Sequence, residues 1–143
     1  MITAAAILPK LSDKRWRMRH LQQILPEDDA DGKMTPLVLR DEQEQLLGER
    51  HFRNFIPKAR KLGMSTLIVL DNADECITVP NTHCAIVDFR EEDAIKKLNI
   101  AKMNWEAGPQ HPNPVMRAIW QEVHRNIKMT ATTEKLVWSN GSR

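Results

Sequence analysis

Apolar side chains recur at helical spacing in several segments of this 143-residue chain. Between Glu91 and Trp105, for example, Ala94, Ile95 and Leu98 fall on one side of a helix. Capping residues and prolines set the expected ends of the other helices. The predicted helices run from a cap at Ser12 or Asp13 to Ile24, from Asp41 to Gly48, from Ser65 to Cys76, from Glu91 to Trp105 and from Val115 to Ile127.

Three other segments have the composition of strands. Phe52 to Ile56 is predicted as a short strand, because a proline follows it directly. Thr82 to Phe89 is predicted as a second strand, in which Ala85, Ile86 and Val87 form a buried run. Leu136 to Trp138 is predicted as a third, before a turn at Asn140-Gly141. Strands that alternate with helices favour an α/β fold with a mostly parallel sheet.

The segment from Asn54 to Leu70 combines a strand, a basic loop with a glycine, and an apolar helix. Proteins hold nucleotide phosphates with this order of elements, because the backbone N–H groups of the loop and the helix N-terminus point at the anion. Gly63 would provide the turn, and Ser65 or Thr66 the hydroxyl that ligates magnesium. The segment therefore predicts a phosphate-binding loop.

This loop departs from the plain pattern G-x-x-x-x-G-K-[ST] at two positions. Met64 stands where the lysine would be, and Lys58 stands where the first glycine would be. Three cations, Lys58, Arg60 and Lys61, lie in the first half of the loop. The positive charge that phosphate requires is therefore expected to come from an earlier position than usual.

The loop with this displaced cation resembles the variant Walker A segment of the large subunit of tailed-phage terminases, the ATP-driven motors that package DNA. The resembling residues are Lys58-Ala59-Arg60-Lys61-Leu62-Gly63-Met64-Ser65-Thr66. Upstream, Asp41 to Leu47 resembles the glutamine-bearing segment that this family uses near the adenine. Downstream, Leu136 to Ser142 resembles the strand and Asn-Gly-Ser turn before its Walker B strand. The resemblance covers roughly Asp13 to Arg143.

The resemblance implies a fold and a function. The implied fold is an α/β, P-loop NTPase-like domain over residues 35–143, with a mostly parallel sheet flanked by helices and incomplete at its C-terminal side. An N-terminal extension of helix and loop would occupy residues 1–34. The implied function is the ATP-binding portion of a terminase large subunit, which in the full protein packages phage DNA into the procapsid. No Walker B strand or nuclease cluster follows in this sequence, so the resemblance provides no hydrolytic residue.

The resemblance also implies cofactors, partners and residue roles. ATP and Mg²⁺ would be the cofactors, and double-stranded DNA, the portal and the small terminase subunit would be the partners of an oligomeric motor in the host cytoplasm. Arg60 would act as the displaced cation on the β- and γ-phosphates, with Lys58 and Lys61 sharing its charge. The remaining implied roles are backbone N–H donors at Gly63, Met64 and Ser65, a magnesium ligand at Ser65 or Thr66, and an adenine contact at Gln43, with Gln45 as its competitor.

Two alternatives stay open on the sequence. Met64 to Asp71 also fits a strand, because four apolar residues precede an aspartate that could bind a metal ion at the strand end. Gly63 would then end a preceding helix. The other alternative is a non-catalytic remnant or interaction module that keeps an α/β fold without turnover.

Composition is that of one soluble globular domain, with 28% charged and 41% hydrophobic residues. The net charge of +2 gives no indication of a dedicated nucleic-acid coat. The basic residues are nevertheless clustered, which fits either phosphate contact or a solvated basic face. The two clusters are Lys14, Arg15, Arg17, Arg19 and His20, and Arg50, Arg53, Lys58, Arg60 and Lys61.

The two cysteines do not form a recognisable motif. Cys76 and Cys84 lack C-x-x-C spacing and make no disulfide framework, which favours a reducing environment. A metal site from Cys76, His83 and Cys84 would lack a fourth ligand at zinc-like spacing. The apolar run from Met1 to Leu8 precedes its charges, unlike a secretory signal, so neither export nor membrane insertion is expected.

Overall fold

The structure of the chain is a computed structural model that describes residues 9–26, 31–51, 53–54, 56 and 63–143. Helices dominate this part of the chain. They are α1 (Lys14–His20), α2 (Asp41–Glu49), α3 (Met64–Thr78), α4 (Glu91–Ala107) and α5 (Pro114–Asn126), with a 3₁₀ turn at Gly108–Gln110. The strands are β1 (Gln23–Ile24), β2 (Thr35–Pro36), β3 (Met129–Ala131) and β4 (Leu136–Trp138).

The four strands form two separate antiparallel pairs. In the first pair Ile24 lies opposite Thr35, and in the second Met129 lies opposite Trp138. The predicted α/β P-loop fold with a mostly parallel sheet is therefore wrong for the described residues. A parallel sheet needs strands that follow one another through helical crossovers. Here β1 and β2 precede the long helices, and β3 and β4 form a hairpin after them.

The strand predicted over Thr82 to Phe89 does not form. Only its start pairs with another segment: Cys84 N–H donates to Arg143 C=O at 2.9 Å, and Arg143 N–H donates to Thr82 C=O at 3.0 Å. The predicted buried run from Ala85 to Val87 is also wrong, because Ala85 is exposed and Val87 is 90% exposed, while Ile86 is half-buried. Apolar composition indicated burial here, but helices and tryptophan side chains fill the core instead.

The strand predicted over Phe52 to Ile56 lies partly outside the described residues. Phe52 and Phe55 belong to that undescribed part, and the described positions 53, 54 and 56 are not in a strand. The predicted final strand from Leu136 to Trp138 is confirmed as β4.

The predicted helices are confirmed with changes at their ends. Asp13 caps α1, since its carboxylate accepts the Arg15 N–H at 2.9 Å. α1 ends at His20 rather than Ile24, because Ile24 pairs with β2.

α3 decides between the two sequence interpretations of its segment. The helix predicted from Ser65 to Cys76 is confirmed, and the alternative strand from Met64 to Asp71 is wrong. Both faces of α3 are buried at helical spacing. Leu67 and Leu70 contact the smaller core cluster, while Val69, Ala73 and Cys76 contact the larger one. A helix that is apolar on two faces has the same composition as a buried strand, so the sequence alone was compatible with a helix and with a strand.

The larger core cluster is built around three tryptophans. Trp105 makes edge-to-face contacts with Trp120, at a ring centroid distance of 5.9 Å, and with Trp138, at 6.3 Å. The indole N–H of Trp120 donates to Leu21 C=O at 2.9 Å, which fixes α5 against the end of α1. Asn104 joins α4 to β1, since its side chain accepts the Gln23 N–H at 2.7 Å.

His124 is stacked on Trp105 at a ring centroid distance of 4.1 Å. Burial lowers the pKa of His124 below its ordinary value of 6.5. The unfolded chain therefore takes up a proton at this residue more readily than the folded protein. The contribution of neutral, buried His124 to the free energy of unfolding is complete above about pH 6.5, and it is lost as the pH falls toward the lowered pKa.

We therefore expect the free energy of unfolding to fall as the pH drops from about 6.5 toward the lowered pKa of His124, and to fall less in His124→Gln. Glutamine does not titrate and retains an amide for the Trp105 C=O that His124 Nε2 approaches at 3.1 Å. Urea unfolding at several pH values measures the difference. Burial also lowers the pKa of His111, so this residue adds to the pH dependence of stability. Its contribution is the same in both proteins, because both contain it. Identical pH slopes would show that His124 does not contribute.

Candidate phosphate-binding site at the start of helix α3

Gly63 lies directly before α3 and adopts the left-handed conformation, with a φ of +67°. Its C=O accepts the first hydrogen bond of the helix, from Leu67 N–H at 3.0 Å. The backbone N–H groups of the first turn have no partners within the helix, and the helix dipole adds positive potential there. Ser65 and Thr66 lie in this turn, and α3 has no acidic residue in it. This local geometry suits an anion.

Gln43 on α2 contacts the same glycine. Its side-chain Nε2 donates to Gly63 C=O at 3.0 Å, and its Oε1 accepts the Arg40 N–H at 2.9 Å. The side chain is buried. The structure thus brings together two predicted site residues that are twenty positions apart, although both ends of the Gln43 amide already have protein partners. Gln45 is exposed, and its amide lies 3.2 Å from the Glu49 carboxylate.

Substitution of Gly63 would disturb this contact. A Cβ atom at Gly63 would lie 2.8 Å from Gln43 Nε2, and the positive φ is itself unfavourable for other residues. Met64 is buried in the core, so it can contribute only its backbone to the predicted site. The predicted cations Lys58, Arg60 and Lys61 lie outside the described residues.

The acidic face of α3 is neutralised by the N-terminal basic cluster. The Arg17 guanidinium holds the Asp74 carboxylate with contacts of 2.7 to 3.1 Å. Lys14 Nζ lies 2.9 Å from Asp71 Oδ1 and also binds Glu75. Asp71 additionally pairs with Arg50. The hydrogen bond to Asp74 raises the pKa of Arg17, while burial raises the pKa of Asp74.

These pairs change the interpretation of the first basic cluster. Three of its cations, Lys14, Arg17 and Arg19, bind carboxylates of α2 and α3, since Arg19 also binds Glu44, at 2.6 Å. His20 stacks on Trp16 at a ring centroid distance of 4.7 Å. Asp71, which the alternative interpretation made a metal ligand, is a salt-bridge partner. Among the described residues, no group of three or more His, Cys, Asp or Glu side chains could hold a metal ion.

The Asn-Gly-Ser turn of the sequence holds the other end of α3. The Asn140 amide donates to Cys76 C=O at 2.8 Å, and the Ser142 hydroxyl donates to Val79 C=O at 3.0 Å. That hydroxyl also accepts the Thr82 N–H at 3.1 Å, and Ser142 is fully buried. The sequence predicted the turn but not its contact with α3, because the two segments are more than sixty residues apart.

A cavity of about 670 Å³ lies between α3, α4 and β4. Most of its lining is apolar, with Val69, Leu98 and Trp138 among the wall residues. Cys76 and Cys84 also line it, with their sulfur atoms 3.7 Å apart. Sequence reasoning missed this pair, because spacing along the chain does not reveal that the segment after α3 turns back against its last turn.

No helix within the described ranges combines the length and apolarity needed to cross a membrane. Comparison with known proteins gives no relative: no family model matches the chain, and neither a curated protein nor a solved structure is significantly similar to it.

Proposed function

We propose that the loop ending at Gly63 and the first turn of α3 bind the β- and γ-phosphates of ATP together with Mg²⁺. We further propose that the chain is the ATP-binding portion of a viral terminase large subunit, which drives the packaging of double-stranded DNA. The observation that supports the proposal best is the left-handed Gly63 directly before a 15-residue helix with hydroxyls at Ser65 and Thr66. A glycine turn before a helix N-terminus is the backbone arrangement that binds phosphate.

The charges along α3 are compatible with an anion at its start. The carboxylates of Asp71, Asp74 and Glu75 begin two turns into the helix and are paired with Lys14, Arg17 and Arg50. Their charge is therefore largely compensated and does not oppose the positive potential at the first turn. In the proposed site Arg60, with Lys58 and Lys61, supplies the positive charge, as the terminase resemblance implies.

Each residue has a separate role in this proposal. Backbone N–H groups from Gly63 to Ser65 bind phosphate oxygens, and the hydroxyl of Ser65 or Thr66 ligates the magnesium ion. Gln43 would approach the adenine in the terminase arrangement. Its contact with Gly63 C=O connects α2 to the glycine turn, so nucleotide bound at the glycine turn would also affect the position of Gln43 on α2. The portal, the small terminase subunit and DNA would be the partners of the motor.

Calorimetric titration with magnesium and a slowly hydrolysed ATP analogue tests the proposal. We expect Ser65→Ala/Thr66→Ala and Arg60→Ala each to weaken binding at least about tenfold, which corresponds to about 1.4 kcal/mol. Lys102→Ala on α4 is the matched control for Arg60→Ala, because it removes the same charge from a half-buried residue that has no role in the proposed site. We expect it to bind as the unchanged chain does.

Circular dichroism of each variant separates loss of the site from loss of the fold. Equal affinity in the loop variants and the control, with folded proteins throughout, would contradict the proposed phosphate site. Absence of binding by the folded, unchanged chain would contradict it as well, and would favour a non-catalytic interaction module.

A further inference from the structure

Cys76 and Cys84 lie next to each other at the end of α3. Cys76 belongs to the last turns of the helix, and Cys84 belongs to the extended segment that returns past it. Their sulfur atoms are 3.7 Å apart. They are the two cysteines of the sequence, so an intramolecular disulfide has one pairing available.

We propose that Cys76 and Cys84 form a reversible disulfide by exchange with a small-molecule disulfide such as oxidised glutathione. A disulfide bond length is about 2.05 Å, so the two sulfur atoms need to approach by less than about 2 Å. Rotation of the two side chains can supply a movement of this size. The site is a modification site separate from the proposed nucleotide site, which lies at the other end of α3.

The backbone on both sides of the pair is held in place. Asn140 donates to Cys76 C=O at 2.8 Å, and Cys84 N–H donates to Arg143 C=O at 2.9 Å. The folded protein therefore keeps the thiols together more effectively than an unfolded chain, in which the intervening residues move freely. This restriction raises the equilibrium constant for closing the bond in the folded state.

The order of the two exchange steps follows from exposure. Cys84 is half-buried, whereas Cys76 is buried. Burial and the neighbouring Cys84 raise the pKa of the Cys76 thiol to about 12, so little of it is thiolate at neutral pH. The cavity of about 670 Å³ that both residues line gives a small disulfide access to them. Cys84 is therefore the first nucleophile.

The exchange balances in two steps. The Cys84 thiol loses its proton to solvent, and its thiolate attacks one sulfur of oxidised glutathione. This forms a mixed disulfide and releases one glutathione thiolate. The Cys76 thiol then loses its proton to solvent, and its thiolate attacks Cys84 Sγ, which breaks the mixed disulfide and releases the second glutathione as a thiolate. The two glutathione thiolates take up from solvent the two protons that the cysteines lost. The protein loses two electrons and two protons, and one oxidised glutathione becomes two reduced molecules.

The test compares the folded chain with the same chain in urea, in buffers of defined reduced and oxidised glutathione. After acid quenching and alkylation, intact mass separates the dithiol, the mixed disulfide and the intramolecular disulfide. We expect the equilibrium constant for the intramolecular bond to be at least about tenfold larger in the folded chain. Oxidation should then raise the melting temperature, and a phosphine reductant should reverse the rise.

Serine variants test the order of attack. In Cys76→Ser the exchange should stop at a glutathione adduct on Cys84, whereas Cys84→Ser should form the corresponding adduct on Cys76 at least about tenfold more slowly. An equilibrium constant in the folded chain no larger than in urea would overturn the proposal. So would oxidation that yields only disulfide-linked dimers or only glutathione adducts in the unchanged, folded chain.

Discussion

Replacement of Arg17 by alanine is expected to lower the free energy of unfolding by about 3–5 kcal/mol. The Arg17 guanidinium contacts both oxygens of the Asp74 carboxylate and also donates to Leu11 C=O at 2.7 Å. The side chain of Asp74 is 4% exposed, so in the folded protein its carboxylate depends on these contacts rather than on bulk water. Without Arg17 the carboxylate must remain charged in an apolar environment or take up a proton, and either costs free energy.

Denaturant unfolding at neutral pH measures this loss. Arg19→Ala is the matched control, because Arg19 on the same helix binds Glu44 at the surface, and we expect a much smaller change there. The double variant Arg17→Met/Asp74→Leu removes both charges and should recover most of the stability lost in Arg17→Ala. Equal losses for Arg17→Ala and Arg19→Ala would show that the Asp74 carboxylate is hydrated in solution.

The sequence was sufficient for the helices because their information is local. Asp13 has the side chain that caps α1, and α3 and α4 carry apolar positions that repeat at helical spacing. The hairpin strand β4 and the turn after it were predictable for the same reason, since Asn140-Gly141 is a turn signal by itself. Each of these predictions depends on residues within a few positions of one another.

The architecture was not predictable because it depends on distant partners. Thr82 to Phe89 has the composition of a buried strand, yet Val87 and Phe89 are exposed, and only the start of the segment pairs with another. Whether an extended segment joins a sheet depends on a neighbouring strand, which composition cannot reveal. The resemblance to terminases implies a parallel sheet as well, which the described residues do not form.

The candidate site shows the same division between local and distant information. Gly63 and the helix after it were predicted correctly, since a glycine before an apolar helix is a local signal. The contact between Gln43 and Gly63, the pairing of Arg17 with Asp74, and the contact between Cys76 and Cys84 were not. Arg17 and Asp74 are fifty-seven residues apart, and no local sequence pattern predicts that their side chains form a buried ion pair.

Replacement of Trp120 by alanine is expected to lower the free energy of unfolding by about 3–5 kcal/mol. The indole ring is 3% exposed and lies edge-on against Trp105. Gly108 permits this position, since a Cβ at Gly108 would lie 2.3 Å from the Trp120 ring. Truncation would leave a cavity among α4, α5 and the end of α1, and would also leave Leu21 C=O without its hydrogen bond.

Two further variants separate these contributions by denaturant unfolding. Trp120→Phe keeps an aromatic ring but removes the indole N–H. We expect it to lower the free energy of unfolding by roughly 1–3 kcal/mol, because the buried Leu21 C=O loses its donor and the ring is smaller. Phe89→Ala removes an aromatic side chain that is 96% exposed, and should leave stability nearly unchanged. If Phe89→Ala were as costly as Trp120→Ala, Phe89 would be packed in solution, and the strand first predicted over Thr82 to Phe89 would regain support. The same pair of measurements therefore tests both the tryptophan core and the correction to the predicted sheet.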